Sequence, residues 1–129
     1  MSHKSKGINA ERELIHLFWA QGWAAVRVSG SGSMKYPSPD VIAATRLRRL
    51  AIECKATKDE HKYIPKADIE QLKTFAGIIN AEPWIAIRFN ALPWYFLMIE
   101  DMRATGQNMM VSVSDAQKKG LLFEELIRR

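Results

Sequence analysis

Two acidic residues and a lysine stand at consecutive apolar segments of the sequence, in a pattern that suits phosphate chemistry. Asp40 directly precedes the apolar run 41–44, and Glu53 and Lys55 interrupt the next apolar run. Side chains of a β-strand alternate between its two faces, so residues two apart emerge on one side, about 6 to 7 Å from each other. Glu53 and Lys55 are therefore predicted to share a face, while Cys54 points into the core.

A tight turn through residues 46–49 would fold the two runs into a hairpin and bring Asp40 beside Glu53. Mg²⁺ prefers oxygen ligands and usually takes one or two carboxylates together with waters and phosphate oxygens. A lysine beside such an ion, here Lys55, can stabilise charge on a phosphate or position the attacking water. The pattern predicts a Mg²⁺ site, with Mn²⁺ as a substitute ion, for hydrolysis of phosphodiesters. The alternative is that Glu53 and Lys55 form an ion pair on a solvated sheet face.

Residues 8–21 are predicted to form an amphipathic helix that supplies a third carboxylate, and Gly22 is predicted to end it. The apolar positions of this helix are Leu14, Ile15, Leu17 and Phe18. Glu11 lies on the side of the helix that carries this stripe, so it is predicted to face the same sheet as Asp40 and Glu53. The alternative is that Glu11 only compensates the helix dipole.

Basic residues flank the predicted acidic centre. The chain has 19 Lys and Arg against 14 Asp and Glu, which gives a net charge of +5 and favours a polyanionic partner. The Ser/Gly-rich segment 29–39 is predicted to be a flap that orders on a DNA backbone, or else a linker. Segment 56–66 is predicted to be a polar connection that contacts phosphates. The predicted DNA-contacting residues are Arg12, Arg27, Lys35, Lys58, Lys62 and Lys66.

Composition narrows the class of protein further. A chain of 129 residues is expected to form one domain. No apolar run approaches the ~20 residues of a membrane span, and residues 1–7 are expected to be a disordered basic tail without a secretion signal, so an intracellular protein is expected. One cysteine and three scattered histidines argue against a disulfide and against structural zinc. Neither a P-loop nor a dinucleotide-binding motif is present, and no small-molecule cofactor is expected.

The remaining segments predict further strands and helices. Strands are expected at 24–28, 84–89 and 94–99, the last two as a hairpin, and a helix at 66–80 after Pro65. Residues 109–113 are expected to add a short edge strand. Ser114 and Gln117 resemble a capping box before a short helix that Gly120 ends, and residues 123–129 are expected to form a last helical turn or two. The aromatic residues of 84–96 are expected to form core or a subunit contact rather than to stack on bases.

The ordered set of motifs along nearly the whole chain resembles the archaeal-type Holliday-junction resolvases, a branch of the restriction-endonuclease-like nucleases. The matching segments are Lys6-Gly7, Ala10-Glu11-Arg12, Ala25-Val26-Arg27, the Ser/Gly loop, Pro39-Asp40-Val41-Ile42-Ala43 and Ile52-Glu53-Cys54-Lys55. The resemblance implies an α/β fold with a restriction-endonuclease-like core, in which a mixed central β-sheet of about five strands is flanked by helices.

The resemblance also implies residue roles and partners. Glu11, Asp40 and Glu53 would bind Mg²⁺, and Lys55 would act at the scissile phosphate. A serine of the loop also matters in the family: counting forward from Arg27 gives Ser31, whereas counting back from Asp40 gives Gly30. Family members are homodimers that nick opposed strands of a four-way junction. Two alternatives stay open, namely a related nuclease for linear duplex or flap DNA, and a non-catalytic nucleic-acid-binding protein.

Overall fold

The computed structural model describes residues 3–30 and 35–129 of the chain. In chain order, the elements are α1 (His3–Ala20), β1 (Ala24–Arg27), β2 (Val41–Ala44), β3 (Arg49–Thr57), β4 (His61–Pro65), α2 (Lys66–Ile79), β5 (Glu82–Phe89), β6 (Trp94–Leu97), a 3-10 turn (Ile99–Asp101), β7 (Arg103–Thr105), β8 (Asn108–Ser112), α3 (Val113–Lys119) and α4 (Phe123–Arg128). None of the described helices combines the length and the apolar character needed to cross a membrane.

Five of these strands form a mixed central sheet in the order β1-β2-β3-β5-β6. All neighbours are antiparallel except β3 and β5, which run parallel because α2 lies in the connection between them. This confirms the predicted mixed sheet of about five strands and the predicted hairpin of β5 and β6. Parallel pairing of β3 with β5 places the carboxyl ends of both strands at the same edge of the sheet.

The two faces of the central sheet carry separate cores. Ile52 and Cys54 lie on the face that packs against Leu14 and Phe18 of α1. The opposite face, which carries Ala51, packs against apolar residues of α2 and of the smaller sheet. Because side chains alternate along β3, Glu53 and Lys55 belong to the α2 face, and Cys54 to the α1 face.

Helix α1 ends where the sequence predicts but begins earlier. Gly22 has a φ of 81°, a left-handed conformation that glycine adopts without strain, and its N–H donates to the carbonyl of Trp19 at 3.1 Å. The first helical residue is His3. The backbone of residues 3–7, expected to be a disordered tail, therefore belongs to the helix.

A second, three-stranded sheet in the order β4-β8-β7 is absent from the sequence prediction. Segment 56–66, predicted to be a polar connection, contains β4, and β8 lies in the middle of this sheet rather than at an edge. The prediction failed because β4 has a single fully buried residue, Ile64, so its alternation is weak in sequence.

The predicted cap of the short helix α3 is also wrong. Ser112 is the N-cap, and its hydroxyl accepts a hydrogen bond from the N–H of Asp115 at 3.0 Å. Helix α3 therefore begins earlier than a cap at Ser114 would allow. Gly120 follows its last residue, as predicted.

Arg48 ties the β2–β3 turn to the C-terminal helix. Its Nε and Nη2 atoms donate to the two carboxylate oxygens of Glu82, each at 2.9 Å, and Nη1 donates to the carbonyl of Leu126 at 2.7 Å. The hydrogen bonds from Arg48 hold the pKa of Glu82 below its ordinary value. Such bidentate, charge-assisted contacts are stronger than simple surface pairs.

Arg48→Met is accordingly expected to lower the free energy of unfolding by about 2 kcal/mol, because it removes the charge-assisted hydrogen bonds that Arg48 donates to the Glu82 carboxylate and to the Leu126 carbonyl. Urea unfolding followed by circular dichroism measures the change. Arg46 is an exposed cation in the same turn, so Arg46→Met is a matched control that should change stability by less than about 0.5 kcal/mol. Equal effects of the two substitutions would show that the Arg48 contacts are not stabilising.

Candidate active site

The β2–β3 hairpin brings Asp40 beside Glu53, as the sequence predicts. Val41 pairs with Ile52, and the N–H of Asp40 donates to the carbonyl of Ile52 at 3.0 Å. The Asp40 side chain is also held in place, because its Oδ2 atom accepts a hydrogen bond from the backbone N–H of Cys54 at 2.8 Å. The carboxylates of Asp40 and Glu53 lie within hydrogen-bonding contact of each other.

Glu53 and Lys55 share one face of β3 and contact each other. Their carboxylate and ammonium atoms are 3.2 Å apart, and the two side chains are only 14% and 27% exposed. The ion pair of the alternative interpretation thus exists, but it is largely buried rather than on a solvated face. Cys54, which is buried, points into the opposite core, as predicted.

Burial raises the pKa of Glu53 to about 8, and the neighbouring Asp40 adds to the shift, whereas Lys55 opposes it. Removing a carboxylate from water penalises its charged form, and a second negative charge nearby penalises it further. Glu53 is therefore largely protonated at neutral pH when no cation is bound. A divalent cation between Asp40 and Glu53 would offset both penalties.

Lys55 remains an ammonium in this site. Burial by itself lowers its pKa. Attraction and hydrogen bonding to Glu53, together with attraction to Asp40 and Asp68, outweigh that effect, so the pKa of Lys55 is raised above its ordinary value. A lysine that stays charged is suited to stabilise negative charge on a phosphate rather than to remove a proton.

Glu11 lies near Asp40 and also contacts an arginine of the neighbouring strand. Its carboxylate is 3.6 Å from the guanidinium of Arg27 on β1. Burial raises the pKa of Glu11 to about 7, with a further contribution from Asp40 and an opposing one from Arg27. Within residues 3–30 and 35–129, no three acidic, histidine or cysteine side chains converge closely enough to hold a metal ion. The carboxylates of Asp40 and Glu53 meet, whereas Glu11 approaches from the α1 side.

The sequence prediction placed Arg27 on the wrong face of β1. Because Arg27 alternates with Val26 and Val28 in the sequence, the pattern predicts that it projects from the polar face of its strand. In the structure Val26 is 58% exposed and Ala25 is buried, so Arg27 lies on the buried face. Arg27 follows Ala25 on the side of α1, which is why it reaches Glu11. Alternation alone could not decide between the two faces, because both strand neighbours of Arg27 are valines.

The other predicted DNA-contacting residues lie at several positions around the site. Arg12 is exposed on α1, and Lys35 is exposed with its ammonium 5.7 Å from the ring centroid of Tyr36. Lys58 and Lys62 line a cleft of about 790 Å³. Lys66 is the first, half-buried residue of α2. Ser31, predicted to be the functional serine, lies outside the described residues.

Two residues near the site escaped the sequence prediction. Asp68, in the first turn of α2, contributes to the electrostatic environment of Lys55. Arg88, near the end of β5, lines the same cleft as Lys58. The sequence offered one sign of Arg88, namely a charged residue within the apolar run of β5. It offered none for Asp68, because the position of Asp68 depends on how α2 packs on β3.

A mixed five-stranded sheet between helices, with an acid before β2 and a Glu-x-Lys pair on β3, defines the restriction-endonuclease-like class of nucleases. A sequence model of the archaeal Holliday junction resolvase family (Hjc) matches residues 2–129. The chain belongs to this family.

Individual relatives agree with this assignment. The crossover junction endodeoxyribonuclease Hjc of Archaeoglobus fulgidus is 37% identical over 111 residues, which cover 86% of this chain and 82% of the relative. The Hjc of Sulfolobus acidocaldarius is 35% identical over 130 residues, covering 99% and 90% of the two chains. The solved structure of A. fulgidus Hjc, a Holliday junction resolvase, superimposes with a TM-score of 0.87 over 96% of this chain and 97% of that one, at 32% identity.

Proposed function

We propose that this protein is a crossover junction endodeoxyribonuclease, which hydrolyses phosphodiester bonds of four-way DNA junctions with Mg²⁺ or Mn²⁺. The observation that carries the proposal is the half-buried group of Asp40, Glu53 and Lys55, in a chain that belongs to a resolvase family. A nuclease for recombining DNA would act inside the cell, at the nucleoid.

The donor atoms of this site fit a hard divalent cation. Asp40 and Glu53 provide adjoining carboxylates. Burial and repulsion by Asp40 raise the pKa of Glu53 to about 8, and a bound cation would offset both effects. Glu11 would become a third ligand only after loosening its contact with Arg27, at 3.6 Å. Two carboxylates already satisfy the usual protein contribution to Mg²⁺.

In the proposed mechanism, the chain's own residues position and neutralise the scissile phosphate. When bound, the ion would polarise a phosphoryl oxygen and lower the pKa of water. Lys55, kept as an ammonium by Glu53, offsets negative charge that develops on the phosphate. Asp40 is held by the Cys54 N–H, so it keeps its orientation through the reaction. The rigid β2–β3 hairpin fixes the spacing of these groups.

We also propose that the active form is a homodimer. The described part of one chain holds one such site, and a four-way junction resolved by two symmetric nicks requires two sites related by a twofold axis. Light scattering should give a solution mass of twice the chain mass of 14.7 kDa. A monomer that resolves junctions would contradict this part of the proposal.

A junction assembled from four oligonucleotides is expected to be cut at least about a hundred-fold faster in Mg²⁺ than a linear duplex made from the same arm sequences. Selectivity of this size is about 2.7 kcal/mol and would come from backbone contacts that only the branched geometry satisfies together. Labelled strands resolved on denaturing gels measure both rates. Equal rates would favour the nuclease for linear or flap DNA, and no metal-dependent cutting of any DNA would favour the non-catalytic DNA-binding protein.

A further inference from the structure

A cleft of about 790 Å³ opens beside the proposed active site, at the edge where β3 and β5 end. Ala56 and Thr57, which directly follow Lys55, line one side of it. Residues two apart on a strand are separated by about 6 to 7 Å. Thr57, which lines the cleft, is therefore about this far from Lys55, so the cleft begins close to where a phosphate held by Lys55 would lie.

The charge of the cleft favours an anionic occupant. Among the described residues that line it, three are cations, Lys58, Lys62 and Arg88, and one is an acid, Asp59. Thr57 and Asn90 add hydrogen-bonding groups along its wall. Small-molecule sites are mostly enclosed and apolar, whereas this cleft is open and rich in cations, which suits a phosphodiester chain.

Arg88 is positioned by contacts that leave its guanidinium at the cleft. It stands opposite Ala56 in the parallel register of β3 and β5. Its Nε donates to the carbonyl of Leu92 at 3.1 Å, and the guanidinium lies 5.9 Å from the ring centroid of Trp94. These contacts fix the side chain at one end, while 36% of it remains exposed.

Glu13 of α1 forms an ion pair with Nη1 of Arg88. Both side chains are partly exposed, 48% for Glu13, so water screens the pair and it adds little to stability. A weak pair is easily exchanged for a phosphate, whose oxygens match a guanidinium well.

We propose that this cleft binds the phosphodiester backbone of the cleaved DNA strand next to the scissile phosphate, and that Arg88 is a phosphate contact which Glu13 occupies until DNA binds. The inference rests on the proposed function, which it deepens by assigning a DNA subsite. It separates Arg88 from the residues that perform the chemistry: Arg88 positions the strand and does not touch the reacting atoms.

The test compares junction binding by Arg88→Gln, Glu13→Gln and the double variant in metal-free buffer, across a series of salt concentrations. Arg88→Gln should weaken binding about five- to ten-fold and reduce the slope of log K against log salt by about 1 per protomer, because one phosphate contact is lost. Glu13→Gln should strengthen binding about three-fold, since Arg88 no longer has to leave a carboxylate. The double variant should bind like Arg88→Gln alone.

Arg46→Gln is the matched control, because Arg46 is an exposed cation in the β2–β3 turn, at the opposite end of the sheet. It changes the net charge equally but should leave the salt slope unchanged.

The inference would be overturned if Arg88→Gln bound junctions with the affinity and the salt slope of the parent. It would also be overturned if Glu13→Gln strengthened binding equally with and without Arg88. A lowered melting temperature of Arg88→Gln with an unchanged slope would show that the ion pair is only structural. Parent protein that binds junctions without cutting them would refute the proposed function, yet these slopes would still test the subsite.

Discussion

Glu53→Gln is expected to reduce the rate of junction cleavage in Mg²⁺ at least about a thousand-fold, while junction binding in metal-free buffer stays within about three-fold of the parent. The substitution keeps the shape of the side chain but replaces a carboxylate with a neutral amide, a poorer ligand for Mg²⁺. A thousand-fold loss corresponds to about 4 kcal/mol of transition-state stabilisation, a size typical of electrostatic groups at a reacting phosphate. Single-turnover cleavage and gel-shift titrations measure the two quantities.

Asp40→Asn is expected to behave in the same way. An asparagine oxygen can still accept the Cys54 N–H, so the hairpin should keep its geometry. Glu124 is an exposed acid on α4, and Glu124→Gln is a matched control that should cut at the parental rate. Parental cleavage by Asp40→Asn or Glu53→Gln would mean that the two carboxylates are not the metal site.

The central part of the site was predictable because it depends on local rules. Strand alternation around Glu53 and Lys55, and a short turn before β3, suffice to bring Asp40 to Glu53. The same rules place Cys54 in the core, where it is found. Each of these inferences involves residues that are close in sequence or paired within a single hairpin.

The incorrect predictions for β1 and β4 concern contacts between elements that are distant in sequence. Arg27 faces α1 because the sheet as a whole packs on that helix, a fact that β1 alone does not encode. The pairing of β4 with β8 joins residues 43 to 51 positions apart, and β4 gives little apolar signal of its own. The contact of Glu13 with Arg88 likewise depends on how α1 crosses the end of β5.

The metal-free protein is expected to lose stability as the pH rises from about 5 to about 8, and Glu53→Gln should remove much of this loss. The folded-state pKa of Glu53 is about 8, above the ordinary value of 4.5. Between these two values the folded chain binds more protons than the unfolded chain, so raising the pH favours unfolding, and the loss is complete above pH 8. Glutamine resembles the protonated side chain and does not ionise.

At pH 8.5 in a chelator, the variant should therefore be more stable than the parent by about 2 to 4 kcal/mol, a rise of roughly 7 to 15 °C in melting temperature for a domain of this size. The difference should shrink to less than about 1 kcal/mol at pH 5, because Glu53 is then protonated in the folded parent. Mg²⁺ should narrow the gap at pH 8.5 by stabilising the parent alone, since ions that bind only the folded state raise its stability. Glu124→Gln should melt at the same temperature as the parent at both pH values.

A stability difference that is the same at pH 5 and pH 8.5 would show that repulsion and burial do not disfavour the Glu53 carboxylate. A difference that Mg²⁺ leaves unchanged would show that the ion binds elsewhere.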